Sequence, residues 1–356
     1  MWGALIATGS AGVLNSLFGA GLMLYLVSSG VIDPQAVRRL RAGDQNPDPE
    51  TVLGGLVAVL AVPVLVAPLV EESLKGLAVL LIMWLLRAEF DDVRDGIIYG
   101  ALVGLGFSIS EYGLYLARQS LEMDGQALYL DLLVLRQPFF GVNNHLIWTA
   151  LTGAGLGLAR QTRRAGVRVL APLLFFILAV FSHALQNSLG VLIAGGVTTL
   201  LGYNPDTAGT VAGIEAAWIA SALANVIPQL LPFGLLAFLL LRSSRWEIDV
   251  IRQYLRDEVQ RAPSPPGAPD GASPGAPGGT VTPEEYALVE ADRPFRTRRL
   301  PRYSGPTEKA IVNAQNELAF RKWHLDREGK DPASDPLVAA WRQDIHALRA
   351  GAGVAT

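Results

Sequence analysis

The chain has 356 residues, 51% of them hydrophobic and only 17% charged, which is too apolar for an ordinary soluble protein of this length. Its formal net charge of −3 says little about partners, and no nucleic acid is expected among them. It has no cysteine, which excludes disulfides, thiolate nucleophiles and cysteine-based metal sites.

The averages hide a split: residues 1–241 are mostly apolar, whereas 242–356 are polar and rich in Arg, Asp and Glu. A membrane span takes about 20 mostly apolar residues, and the candidates in chain order are 3–29, 53–86, 96–117, 138–159, 168–193 and 212–241. The first lacks a basic leader and is too long for a signal-peptide core, so it reads as a retained span. The second is long and holds Pro63 and Pro68. It reads either as one kinked, tilted helix or as a short segment followed by a true span near 69–86. The expected fold is therefore all-α, a polytopic transmembrane helix bundle of six spans with seven as the alternative. It carries a cytoplasmic linker and a small helical tail.

Charge orients the spans. The loop 160–168 holds Arg160, Arg163, Arg164 and Arg168, and Arg242, Arg245, Arg252 and Arg256 follow the last span, whereas 194–211 has no Lys or Arg. The positive-inside rule puts the first two, and hence the C-terminus, in the cytoplasm. The loop 30–52, with Arg38, Arg39 and Arg41, falls outside with six spans and inside with seven. Within the protein, 1–241 is then the transmembrane domain, with a motif core at 53–190. Residues 242–261 are a juxtamembrane basic helix, 262–281 a Pro/Gly-rich linker that packs no core, and 282–356 the tail. Segments 306–328 and 335–349 read as amphipathic helices, too small for a large core of their own. The tail is expected to dock on the cytoplasmic face or to bind a regulator. His324 and His346 within it read as surface residues.

Against this apolar background the polar residues stand out. Glu71, Glu72 and Lys75 share one span, Glu111 lies in the next, then His145, then His183 with Asn187 four residues on. An intramembrane ionisable group costs several kcal/mol and is a functional-site hypothesis by default. Glu71 stands 16 residues before Arg87, Glu111 17 after Arg94, His145 15 before Arg160 and His183 15 after Arg168. In helices that puts all four about 22–26 Å from the cytoplasmic ends, in one layer. Such a layer suits hydrolysis. A carboxylate removed from water can act as general base, a nearby imidazole can share the proton, and His183 and Asn187 on one face can donate to an oxyanion. Phe107, one turn before Glu111, reads as wall. Gly100, Gly104 and Gly106 read as a small-residue packing face.

At these residues the chain resembles the PrsW family of intramembrane proteases, distant relatives of the CAAX prenyl proteases and Abi proteins. The pattern is E-E-x-x-K at Glu71–Lys75, F-x-x-x-E at Phe107–Glu111, a lone His at His145, and H-x-x-x-N at His183–Asn187. It covers roughly 53–190. One departure is Tyr112, where the family commonly has Asn. The resemblance implies an integral protein of the bacterial cell membrane. It would be a glutamate-dependent endopeptidase that cuts a membrane-associated protein, such as an anti-sigma factor in regulated intramembrane proteolysis. Glu71 would activate water, His145 or Glu111 would assist, His183 and Asn187 would form the oxyanion site, and Glu72 and Lys75 would support them. No cofactor is expected. The alternative is a Zn²⁺ site of Glu71, Glu111, His145 and His183, although no H-E-x-x-H motif is present. The competing function is a proton-coupled transporter using the same buried layer. Oligomeric state is left open.

Overall fold

In the computed structural model, residues 6–41, 48–87, 89–122, 144–202, 211–260, 279–296 and 298–351 are described. They are mostly helical, with no strand among them. The chain divides into two compact units, residues 1–240 and 241–356.

The first unit opens with α1 (Thr8–Ser28) and a short α2 (Pro34–Arg41). α3 (Pro49–Ala61) begins where the Asp48 carboxylate accepts from the Thr51 amide at 2.8 Å, with Pro49 in the first turn, a standard helix start. A π-helical turn, Val62–Val66, joins α3 to α4 (Ala67–Leu85). The long second span is thus one helical run broken at its prolines, the first of the two readings its sequence allows. α5 (Val93–Glu122) follows, started by Asp92, whose Oδ1 accepts from the amides of Arg94 and Asp95 at 2.7 and 3.1 Å. Then come α6 (Asn144–Gln161), α7 (Ala165–Leu200), α8 (Val211–Val226), a 3-10 turn at Ile227–Gln229 containing Pro228, and α9 (Leu230–Gln260).

Five described stretches are long and apolar enough to cross a membrane: Thr8–Ser28, Pro49–Leu85, Val93–Leu121, Ala165–Leu200 and Val211–Val259. The expected span 138–159 begins outside the described residues. α6, which holds its described part, has 18 residues and is buried almost continuously from His145 to Gly157. The helix is a central post wrapped by others, which is why its Gly, Thr and His content does not look lipid-facing. α7 runs seven residues past the expected end of its span. Its 36 residues reach about 54 Å, well over the roughly 30 Å of a bilayer core.

Glycines let α6 sit so deep. A Cβ at Gly96, Gly100 or Gly104 of α5 would strike the carbonyl oxygen of Gly153, Thr149 or His145 in turn, and a Cβ at Gly153 or Gly157 would strike α5 backbone in return. On its other side Gly155 abuts Ala171, Pro172 and Phe175 of α7. Backbone meets backbone along two helix pairs, the small-residue packing that replaces a hydrophobic driving force in lipid. At the end of this post Arg160 donates to the carbonyls of Phe90 (3.0 Å) and Arg87 (2.7 Å). This arginine therefore closes the end of α4.

The second unit is built differently. α10 (Pro283–Glu290) starts with a reciprocal capping box between Thr282 and Glu285, and α11 (Gly305–Glu328) stops at Gly329 with φ 69°, as a left-handed cap requires. α12 is Pro336–Gly351. These helices enclose a core of Leu255, Val281, Val289, Leu318, Val338 and Ile345, with Tyr254 and Trp323. The sequence alone suggested an appendage without much core. The difference comes from the 241–260 part of α9, whose apolar face supplies Val250, Ile251, Tyr254 and Leu255. Buried charges are matched: Glu258 is met by Lys322 at 2.9 Å and Arg342 at 2.8 Å, and Glu285 by Arg349. His324 and His346 are half-buried in this core's flank rather than surface residues.

The glycine contacts make a measurable claim. Gly100→Ala places a methyl in the Thr149 carbonyl and should cost at least about 1–3 kcal/mol. Gly113→Ala, with nothing within 4 Å of its Cβ, should cost nothing measurable. Equal unfolding midpoints for the two variants in mixed micelles would show that the α5–α6 contact is not backbone-tight.

Candidate active site

The polar layer assembles at the middle of this bundle. α4 presents Glu71, Glu72 and Lys75 on adjacent turns, α5 presents Phe107 and Glu111, α6 presents His145, and α7 presents His183 and Asn187. Lys75 and Glu72 have no exposed surface, and Glu71, His145 and His183 are only 8%, 6% and 3% exposed.

Lys75 is the hub. Its Nζ donates to Glu72 Oε1 at 2.6 Å and lies 2.9 Å from His145 Nδ1. It stands 4.3 Å over the Phe107 ring and 4.0 Å from Glu71 Oε2. The ring face adds a cation–π contact, so Phe107 does electrostatic as well as steric work.

The partners fix the imidazole tautomers. An ammonium only donates, so His145 Nδ1 accepts, and its Nε2–H donates to Glu111 Oε2 at 2.9 Å. A carboxylate only accepts, so His183 Nδ1–H donates to Glu72 Oε1 at 3.1 Å, leaving the lone pair of its ring on Nε2. The two imidazoles meet edge to face with centroids 5.2 Å apart. Trp148 stacks on His183 at 4.0 Å and 13°.

Several members of this site escaped the sequence reading. Asn15 of α1 donates from Nδ2 to Glu71 Oε1 at 3.1 Å. It is the only amide side chain in 3–29, the one signal that pointed to it. Trp148 Nε1–H donates to Gln229 Oε1 at 3.1 Å, Gln229 donates to Gln186 Oε1 at 2.9 Å, and Gln186 donates to the Ala224 carbonyl at 2.9 Å. This chain ties the tryptophan under His183 to the Pro228 turn.

Asn187 is placed one step away from the role expected of it. Its Nδ2 donates to the Pro63 carbonyl at 2.6 Å. The reason is local. In the π turn the Ala67 amide bonds back to the Val62 carbonyl, so the Pro63 carbonyl has lost its usual α-helical donor. The next amide in π register would be that of Pro68, which has none. The Asn187 amide fills the gap.

Glu71, Glu72, Lys75, Glu111, His145 and His183 are thus brought into one connected cluster, with Phe107 as its wall and Asn187 at the helix break beside it. Residues 1–214 match a family model described as PrsW family intramembrane metalloprotease. The chain belongs to the PrsW family. It is a peptidase integral to the membrane, and the carrier reading of the buried layer is set aside. No curated protein and no solved structure matches it.

The family description implies a metal, and the cluster can be tested against one. Glu71, His145 and His183 each offer a ligand atom, all within 4.8 Å of one another. Two imidazoles and a carboxylate are a zinc donor set. Glu71 Oε2 is buried without a hydrogen bond. The Glu72–His183 pair is the carboxylate–imidazole arrangement that orients a metal-ligating histidine. The donors fit. The one reorganisation required is at His145, which must release Lys75 from Nδ1 or Glu111 from Nε2.

The Lys75–Glu72 pair sets stability. Lys75→Met strands Glu72 in an apolar interior and should destabilise by about 3–5 kcal/mol. The double variant Lys75→Met/Glu72→Gln should regain a large part of that loss in equilibrium unfolding. A single variant as stable as wild type would mean the pair contributes nothing.

Proposed function

We propose that this PrsW protein hydrolyses a peptide bond of a membrane-associated protein at the Glu71–His145–His183 cluster. What carries the reading is the convergence of an unbonded carboxylate oxygen and two oriented imidazoles inside an apolar bundle. Glu71, held by Asn15 through Oε1, takes the proton from the attacking water on Oε2 and passes it toward the leaving amine. Lys75 and Glu72 fix the two histidines. Glu111 holds His145 by its Nε2–H and would stabilise the imidazolium formed if Lys75 passes its proton to Nδ1. His183, with its lone pair on Nε2, faces the reacting position as an acceptor. In that state it helps an oxyanion only once protonated, and Asn187 does so only by leaving Pro63. Both keep the oxyanion role that the family resemblance implies, subject to those two changes.

A second reading is favoured by the ligand geometry. Glu71, His145 and His183 would hold a divalent metal, with Glu111 the next carboxylate behind His145. Such a metal would supply Lewis acidity to the water and the scissile carbonyl. Burial of the cluster among lipid-facing helices supports a substrate that itself reaches into the bilayer. An anti-sigma factor or similar signalling protein in a bacterial cell membrane is the case the resemblance implies, and the distribution of arginines favours a cytoplasmic 241–356 unit.

Cleavage of single-span and lipidated peptides in proteoliposomes should fall by about 10²–10⁴ in Glu71→Gln, with unfolding midpoints unchanged. Wild-type turnover in that variant would remove Glu71 from the chemistry. Chelator treatment separates the two readings: activity lost and restored by Zn²⁺ assigns the metal, and activity untouched assigns the metal-free mechanism. Asn15→Leu, which frees Glu71 Oε1, should lower kcat more than it raises KM, and an effect confined to KM would count against a positioning role.

A further inference from the structure

The second unit carries a feature that neither its core nor the proteolytic site uses. After α10 the chain turns sharply. The Arg296 amide donates to the Arg293 carbonyl at 3.2 Å, closing a four-residue turn with Pro294 at its second position and Phe295 at its third. Phe295 has φ 61°. A turn with positive φ at the third position calls for glycine, and a bulky side chain there is strained. The strain does not serve burial, because Phe295 is 66% exposed.

Around this aromatic tip the exposed charge is predominantly basic, with Asp292, Glu308 and Glu284 the acids beside it. Arg293, Arg296, Arg299 and Arg302 are all exposed. Arg299 reaches Glu308 at 3.1 Å yet keeps 79% of its side chain in solvent. The base of the turn is rigid. Buried Arg298 donates to Asp292 (2.9 Å), Gln315 (3.1 Å) and Asn316 (3.1 Å), which neutralises Asp292. Arg252 donates to the carbonyls of Glu290 and Asp292 at 2.8 and 2.9 Å. A shallow cavity of about 280 Å³ opens here, with Arg293, Arg296 and Arg299 in its lining.

We propose that this turn is a membrane-docking element, in which Phe295 inserts at the interface and the surrounding arginines bind anionic phospholipid headgroups. Charge complementarity selects the partner: four exposed guanidiniums suit phosphate esters, and they flank an apolar side chain held outward at a conformational cost. Clustered basic residues are attracted to an anionic leaflet, and an interfacial aromatic adds burial of its ring. The unit begins at Leu241, inside the continuous helix α9 and the apolar stretch Val211–Val259 that is long enough to cross a membrane, so the tethered surface is at high effective concentration. A soluble phosphate or an acidic protein would need no exposed phenylalanine.

The chain's lack of cysteine makes the test clean. The full-length protein carrying Phe295→Cys is nitroxide-labelled and reconstituted in vesicles of phosphatidylglycerol or of phosphatidylcholine. A second sample carries the label at Lys330→Cys, in the exposed turn after α11. In anionic vesicles the label at 295 should collide more with oxygen than with a water-soluble nickel chelate. The preference should reverse in neutral vesicles, and should also reverse when Arg293→Ser and Arg296→Ser are added, while the label at 330 stays aqueous throughout. An aqueous signature at 295 in anionic vesicles overturns the proposal. So does equal shielding of both labels, which would mean general burial of the unit. Shielding at 295 that appears in neutral vesicles on adding inorganic phosphate or polyglutamate would assign the turn to a soluble anion instead.

Discussion

Lys75 carries an ammonium into an apolar bundle with no exposed surface. Cut off from water it must be met by acceptors, because an uncompensated charge there costs more than the fold can absorb. Glu72 and His145 meet it from two different helices, and Phe107 covers it from the side. Glu72 in turn recruits His183 from another helix, and His145 recruits Glu111. One buried cation thereby ties α4, α5, α6 and α7 together and determines which nitrogen of each histidine carries the proton. The geometry available for chemistry follows from that demand for electrostatic satisfaction.

Such contacts require short helix-to-helix distances, and these come from residues with no chemistry at all. The run Gly96, Gly100, Gly104 against Gly153, Thr149 and His145 brings the α5 and α6 backbones together. His145 is both a member of the site and part of that backbone contact, so packing and placement of the imidazole are inseparable. The break at Pro63 and Pro68 plays the complementary part on α4. It frees a carbonyl, and Asn187 of α7 takes it up, which pins the helix bearing His183 to the helix bearing Glu71 just before the acidic pair.

Much of this was legible in the sequence because lipid removes the usual ambiguity. In a soluble protein Glu111 or His145 would be one polar residue among many. In spans of Leu, Val and Gly each is an outlier, and counting turns from the nearest Arg places them at one depth. Glu71, Glu72, Lys75, Glu111, His145 and His183 do meet. What the counting did not reach was rotation about each helix axis and the side-chain bookkeeping. Nothing in H-x-x-x-N says that the Asn will serve a proline-broken carbonyl. Gln186, Gln229 and Trp148 form a relay across three segments, and such a relay has no one-dimensional spacing. Asn15 was missed because its span has no flanking Arg from which to count. The core of the second unit was underestimated because residues 242–261 read as a basic helix, whereas the apolar face of this segment is what α11 and α12 close upon.

The satisfied and unsatisfied atoms of the acidic pair give a physical ground for separating two adjacent glutamates. Both have a buried Oε2 with no hydrogen bond. Glu72 has no exposed surface, and its Oε1 already takes both Lys75 and His183, so reaction at Glu72 would unfasten the groups that orient the site. Glu71 is held through Oε1 by a neutral amide, Lys75 stands off at 4.0 Å, and the side chain retains some exposure. A buried acceptor without a donor is a cost that folded proteins tolerate mainly where a ligand, an ion or a reaction needs it. Of the two carboxylates, Glu71 is the one that can take up a proton or a ligand without dismantling its support, which is the ground on which the proposed mechanism gives it the reacting role.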